Sequence, residues 1–288
     1  MGRPNVGKST LLNHLLGLKL SITSRKPQTT RHRLRGVLTR GRDQLVFVDT
    51  PGMHRPRRLR ALNRQLNETA QRALNDVDAV VLVVDRDHWT DTDQWVAEQV
   101  FARPRPVVIA VNKVDLVRPR ERLLPHFQWL AERFPQAELV PVAALKGFNL
   151  DRLVDILAGW LPQGPFLFPP DQLTDRSLRF LAAERVREKL VRQLGDELPY
   201  ATAVEIEQWR ERGGVVHIHA LIAVERPSQK AIVIGEGGER LKKIGQQARL
   251  DLERLLGARV MLHLWVKVRE DWADDERALR ALGYDERD

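Results

Sequence analysis

The stretch Gly2-Arg3-Pro4-Asn5-Val6-Gly7-Lys8-Ser9 constrains this chain more than any other. It matches G-x-x-x-x-G-K-[ST], the loop that wraps a nucleotide's phosphates. Its glycines let the backbone curl until several N–H groups converge on phosphate oxygens, and Lys8 sets a point charge against the β- and γ-phosphates. Ser9 and Thr10 open a helix whose positive end adds to the anion site, and the Ser9 hydroxyl can ligate Mg²⁺. Gly2, Asn5, Val6, Gly7, Lys8, Ser9 and Thr10 are therefore the candidate phosphate-binding residues. Short glycine-containing loops also precede helices with no ligand, so this motif needs company. A loop of this kind normally follows a buried strand. Only Met1 precedes Gly2, so the first strand of this domain is expected to lie outside the sequence given.

The 288 residues suit two domains, each able to bury a core. A formal net charge of +9 points to an anionic partner, with nucleic acid first and an acidic membrane surface second. With no cysteine, the chain can form no disulfide, thiolate nucleophile or cysteine-based metal site. No apolar run is long enough to span a bilayer, and the reading is of a cytoplasmic, monomeric protein.

Ala79–Val84 and Val107–Val111 are short continuous apolar runs, as in parallel strands covered on both faces. Strands are also expected at 34–38, 44–48 and 138–142. Helical spacing runs through 59–73, 91–101, 120–133 and 151–161. This alternation predicts a doubly wound α/β domain over 1–162. Prolines at 162, 165, 169 and 170 predict a linker over 163–174. Beyond it, 175–288 reads as a smaller α+β domain. It should hold a long helix over 175–194, alternating strands at 216–224 and 260–268, a weaker strand at 204–206, and a helix carrying Leu241, Ile244, Ala248, Leu252 and Leu255 that Gly257 stops.

Three further motifs carry chemistry. Asp49-Thr50-Pro51-Gly52 leaves a strand end, where Asp49 can hold Mg²⁺ and the Gly52 N–H can meet a γ-phosphate; the same four residues also make an ordinary turn. In Asn112-Lys113-Val114-Asp115, a carboxylate in the plane of guanine can accept from N1–H and the 2-amino group. Adenine would leave Asp115 desolvated and unpaired. The Lys113 stem can cover the ring, Asn112 can tie loops together, and an Ala143 or Ala144 N–H could meet the guanine oxygen. Finally, Gly235-Glu236-Gly237-Gly238 places a GxxG between an apolar segment and the Leu241 helix, with Lys230, Arg240, Lys242, Lys243 and Arg249 nearby. A bare GxxG is more often a turn between helices. The basic residues read equally as a solvated face. His217 and His219 lie two apart on one strand and read as structural or RNA-facing rather than as ligands; Trp129, Trp160 and Trp209 read as packing.

In this order the motifs resemble the Era family of GTPases. The resemblance extends to Lys26-Pro27-Gln28-Thr29-Thr30-Arg31, which looks like that family's first switch, and to the ending from Leu264 through Tyr284. It implies a P-loop GTPase domain lacking its first strand, followed by a type II KH domain. It further implies Mg²⁺ on Ser9, Thr30 (Thr29 second) and Asp49, with GTP and GDP as substrate and product. Asn112, Lys113, Asp115, Ala143 and Ala144 would hold guanine. The GxxG loop (Gly235, Glu236, Gly237, Gly238) with Lys230, Arg240, Lys242 and Lys243 would clamp about four nucleotides of single strand. The partners implied are 16S rRNA near its 3′ end and the 30S ribosomal subunit during assembly, with peripheral contact to the inner membrane. Two departures stand out. Ala143 replaces a frequent Ser, and Met53 follows Gly52 where many GTPases place a water-orienting glutamine, so hydrolysis is expected to be slow and no catalytic residue is named. The rival readings are a nucleotide-independent RNA-binding module with a remnant G domain and a membrane-surface GTPase.

Overall fold

The computed structural model describes residues 1–24, 30, 33–53, 61–194 and 202–270. They form two compact units, the first running to Asp175 and the second from Arg176, with Ile22, Thr23 and Ser24 belonging to the second.

In the first unit, α1 (Lys8–Leu16), β1 (Leu34–Arg40), β2 (Asp43–Asp49), α2 (Ala61–Asn75), β3 (Val80–Asp85), α3 (Asp91–Phe101), β4 (Val107–Asn112), α4 (Leu124–Arg133), β5 (Glu138–Pro141) and α5 (Leu150–Trp160) follow in order. β3, β4 and β5 make a parallel sheet with β4 central, while β1 and β2 pair as an antiparallel hairpin. The apolar run of β4 is explained by its two neighbours. Val107, Ile109 and Val111 enter one core with Val96, Val100 and Leu130, and Val108 and Ala110 enter another with Leu11, Leu153 and Leu157. All six β4 residues are buried. A strand sandwiched this way has no polar face, so it cannot alternate.

Local chemistry sets several boundaries. Thr90 and Asp93 form a reciprocal capping box that starts α3. The helix expected from residue 120 begins at Leu124, after a 3₁₀ turn at Arg120–Leu123, because Pro125 fits only a first helical turn. The Met1 backbone pairs with β3, accepting from Val83 N–H and donating to the Val81 carbonyl. A cavity of about 610 Å³ beside it is lined by β2, β3, Leu11, Leu15 and Leu157. The proline-rich segment lies along the hairpin. Gln44 bonds the backbone of Leu167 and Phe168, and Val37 N–H donates to the Leu173 carbonyl.

The second unit orders α6 (Leu178–Gln193), β6 (Thr202–Arg212), β7 (Val215–Val224), α7 (Pro227–Ile234), α8 (Glu239–Leu256) and β8 (Arg259–Val268). β6 is antiparallel and β8 parallel to the central β7. Val186, Leu190, Ile222, Val233, Ile244, Ala248 and Val266 fill the core between sheet and helices. β6 runs well beyond the expected 204–206. A bulge at Glu207 resets its alternation and its outer half is polar, which hides the strand from an apolar pattern.

Candidate nucleotide site and RNA groove

The phosphate loop is shaped by contacts that only small residues permit. Gly7 sits at φ 103°, and a Cβ there would lie 2.3 Å from the Asn112 side-chain nitrogen. The α1 ladder opens with Leu11 N–H to the Gly7 carbonyl, so helix geometry leaves the amides of Lys8, Ser9 and Thr10 facing the loop. Lys8 Nζ donates to the carbonyls of Gly2 and Arg3, both at 2.9 Å. Burial pushes the Lys8 ammonium down to about 8; Asp49 opposes that shift and Arg3 adds to it.

Oxygen ligands converge beside Lys8. Ser9 Oγ lies 3.0 Å from Thr30 Oγ1 and 3.0 Å from Asp49 Oδ2, and Thr30 Oγ1 lies 3.5 Å from the same carboxylate oxygen. Two hydroxyls and one carboxylate are the hard donors that Mg²⁺ takes alongside phosphate oxygens. Thr29 and the rest of Lys26–Arg31 except Thr30 fall outside the described residues. Gly52 abuts the loop, where a Cβ would meet Pro4 at 3.0 Å. Met53 is fully buried among Leu74, Leu82 and their neighbours, so its side chain faces the core.

Asn112 is the hub of the base loops. Its Nδ2 donates to the Val6 carbonyl at 2.8 Å, and its Oδ1 accepts from Lys113 N–H at 2.8 Å and Ala144 N–H at 2.9 Å. Ala144 N–H therefore braces the loops in this geometry instead of presenting itself to a guanine oxygen. Ala143, also buried, exchanges backbone bonds with Phe148. Lys113, at φ 62°, reaches the Asn5 carbonyl at 2.8 Å and Asp85 Oδ2 at 2.9 Å. The Asp115 carboxylate meets Lys146 Nζ at 3.1 Å.

Sequence reasoning passed over Asp85, Lys146, Arg3 and Asp93. Asp85 ends β3 opposite Asn112 in register. Burial raises its pKa, but the bonds from Lys113 and Arg86 outweigh that and hold it below the usual carboxylate range. Arg3 Nε donates to Asp93 at 2.9 Å and its guanidinium lies 3.7 Å from Asp85. These residues tie the phosphate loop, β3 and the start of α3 into one charge network. The available signal was position alone: the last residue of an apolar strand beside Asn112.

In the second unit, Gly235–Gly238 joins α7 to α8, with Gly237 and Gly238 at φ 55° and 80°. Next to it, between α8 and β8, a groove of about 460 Å³ is lined by Gly238, Lys242, Gly245, Gln246, Arg249 and the apolar Leu241, Leu262 and Leu264. Of the residues expected to hold RNA, Gly238 and Lys242 line this groove. Glu236, Gly237 and Lys243 are exposed, and Lys230 is half-buried. Arg240 turns back to the Ile232 carbonyl and closes the end of α7. Gly245 and Gln246 were missed because they fall on the half-polar flank of α8, one helical turn past Lys242. Trp129, expected in packing, is 39% exposed and meets Trp89 edge-on.

The sequence model of a family described as "50S ribosome-binding GTPase" matches residues 1–113, and that of the KH domain matches residues 197–273. GTPase Era of Azotobacter vinelandii is 60% identical over 284 residues, covering 99% of this chain and 94% of that protein. GTPase Era of Pseudomonas aeruginosa PAO1 is 59% identical over the same length, covering 99% of this chain and 93% of that protein. A crystal structure of Era in complex with MgGDPNP and nucleotides 1506–1542 of 16S ribosomal RNA is similar at TM-score 0.94 and 40% identity, covering 98% of this chain and 96% of that one. So, with the same values, is a point variant of Aquifex aeolicus Era bound to GDP.AlF4⁻.

Proposed function

The chain belongs to the Era family of GTPases, and from that premise we propose a GTP-hydrolysing switch that binds single-stranded 16S rRNA near its 3′ end and assists assembly of the 30S subunit. The observation that carries the nucleotide half is the convergence of Ser9, Thr30 and Asp49 oxygens beside Lys8. Bound Mg²⁺ would neutralise charge between the β- and γ-phosphates. The chain's own work is positional. The α1 amides and Lys8 hold the phosphates, and Ser9, Thr30 and Asp49 would hold Mg²⁺ beside them. Gly52 N–H senses that phosphate, and Asp115 selects guanine while Asn112 fixes the three loops that frame it.

No side chain at position 53 orients the attacking water, because Met53 is in the core. Hydrolysis then rests on backbone and switch residues and is slow. The GxxG loop and the α8–β8 groove form the RNA clamp, whose glycines admit the backbone while Lys242 meets phosphate. The proposed domain division is 1–162, a linker over 163–174, and 175–288. No helix among the described residues is long and apolar enough to cross a membrane. We place the switch in the cytoplasm, where 30S subunits are assembled.

The test is GTP turnover by the full chain with and without the 1506–1542 segment. The expected outcome is a slow basal rate that this RNA changes, and that effect is lost in a Gly237→Asp variant with unchanged basal turnover. Turnover indifferent to the RNA would contradict the coupling.

A further inference from the structure

The two faces of the β6–β7–β8 sheet differ in chemistry. Val216, Ile218, Ala220, Ile222 and Val224 are buried and face the helices. The cross-strand register sets the opposite face in rows. Arg210, His217 and Met261 share one row, and Gln208, His219 and His263 the next. Arg212 and Arg259 flank Val215 at the end of the sheet, and none of these outward positions carries a carboxylate. The rings are in contact: His219 and His263 centroids lie 4.7 Å apart, and Trp265 meets His219 edge-on at 5.8 Å. Arg210, Arg259 and His263 are exposed, as is Met261 at 47%. In the following row Glu205 is paired with Arg269 at 3.2 Å.

Stackable rings bordered by guanidinium groups suit a single-stranded nucleic acid, whose bases offer π-faces and whose phosphates offer charge. An anionic membrane would use the arginines but has no need of contiguous imidazoles. No group of three or more His, Cys, Asp or Glu among the described residues is arranged to hold a metal ion. Among the described residues β8 is an edge strand, and its inner residues Leu262 and Leu264 line the α8–β8 groove. Among the described residues, a strand of RNA leaving that groove rounds the β8 edge to meet His263.

We propose that the His217–His219 end of this sheet face, which stops where Leu221 and Ala223 are buried, is a second single-stranded RNA platform, stacking nucleotides that run beyond the GxxG clamp. The proposal rests on the RNA-binding reading of the groove, and the test separates the two. Binding by the full chain is measured for the 1506–1542 segment of 16S rRNA and for its tiled fragments of about four nucleotides, the length a KH groove holds. A His219→Ala/His263→Ala variant should bind the long segment about tenfold more weakly and the best short fragment unchanged, while His263→Phe, which keeps a stacking ring, should stay within about twofold of the parent. Arg210→Glu should act like the double alanine variant. Equal affinity of parent and variants for the long RNA would overturn the platform. So would an effect seen only on vesicles of anionic lipid. Gly237→Asp should weaken both RNA lengths; if it weakens neither, the groove reading fails whatever the sheet variants do.

Discussion

Met53 and Lys8 show how burial decides what a residue near the phosphates can do. A glutamine placed at position 53 would enter the core beside Leu74 and Leu82 rather than reach a water. Met53→Gln should leave GTP turnover no faster and destabilise the fold by roughly 2–4 kcal/mol, the cost of burying an amide without partners. Urea midpoints and turnover rates on the same variant check both halves. Lys8 titrates at about 8 because burial penalises its charged form. Its folded-state pKa lies below the unfolded value near 10.4, so between those values the unfolded chain binds the extra proton and Lys8 makes stability rise with pH. Phosphate binding has the opposite sign, since it needs the ammonium. GDP affinity should be level below pH 8 and fall above it. In a weaker-binding Lys8→Met variant the affinity should not follow that fall.

The helix α8 is the element on which most of the proposed RNA binding depends. Its register sends Ile244, Ala248 and Leu252 into the core and brings Lys242, Gln246 and Arg249 to the groove. Arg249 is also held at 2.8 Å by Glu253, so its charge is partly engaged within the helix. Replacing Lys242 and Lys243 by glutamine should weaken RNA binding across sequences. The slope of log affinity against log salt should become shallower by about 0.7 for each phosphate that these side chains no longer neutralise. An unchanged slope would show that these lysines only solvate the helix. At this scale the fold was largely legible. Continuous apolar strands and the α8 stripe reflect burial that composition cannot hide. The length of β6 was not, because a bulge and an outer half of Glu, Gln and Arg break its alternation. Nor was the start of α4, which Pro125 delays.

Across the molecule, legibility followed sequence distance. Phosphate ligands adjacent in the chain, and the Asn112–Asp115 run, could be read from spacing. Residues that matter through a partner about 30 to 90 positions away could not: Asp85 with Lys113, Lys146 with Asp115, and Arg3 with Asp93. The outer sheet face had one trace, the alternation of His217 and His219, and gained meaning only when register placed His263 beside them. The central claim is that these separated groups make one Mg²⁺-dependent guanine site. It is tested most directly by binding of a fluorescent GDP to the full chain, with and without Mg²⁺, in competition with GTP and ATP. The account predicts Mg²⁺-dependent binding displaced by GTP, with ATP much weaker because adenine offers neither of the two donors that Asp115 would accept from guanine. Displacement by ATP at the same concentration as GTP, or no binding with Mg²⁺ present, would contradict it.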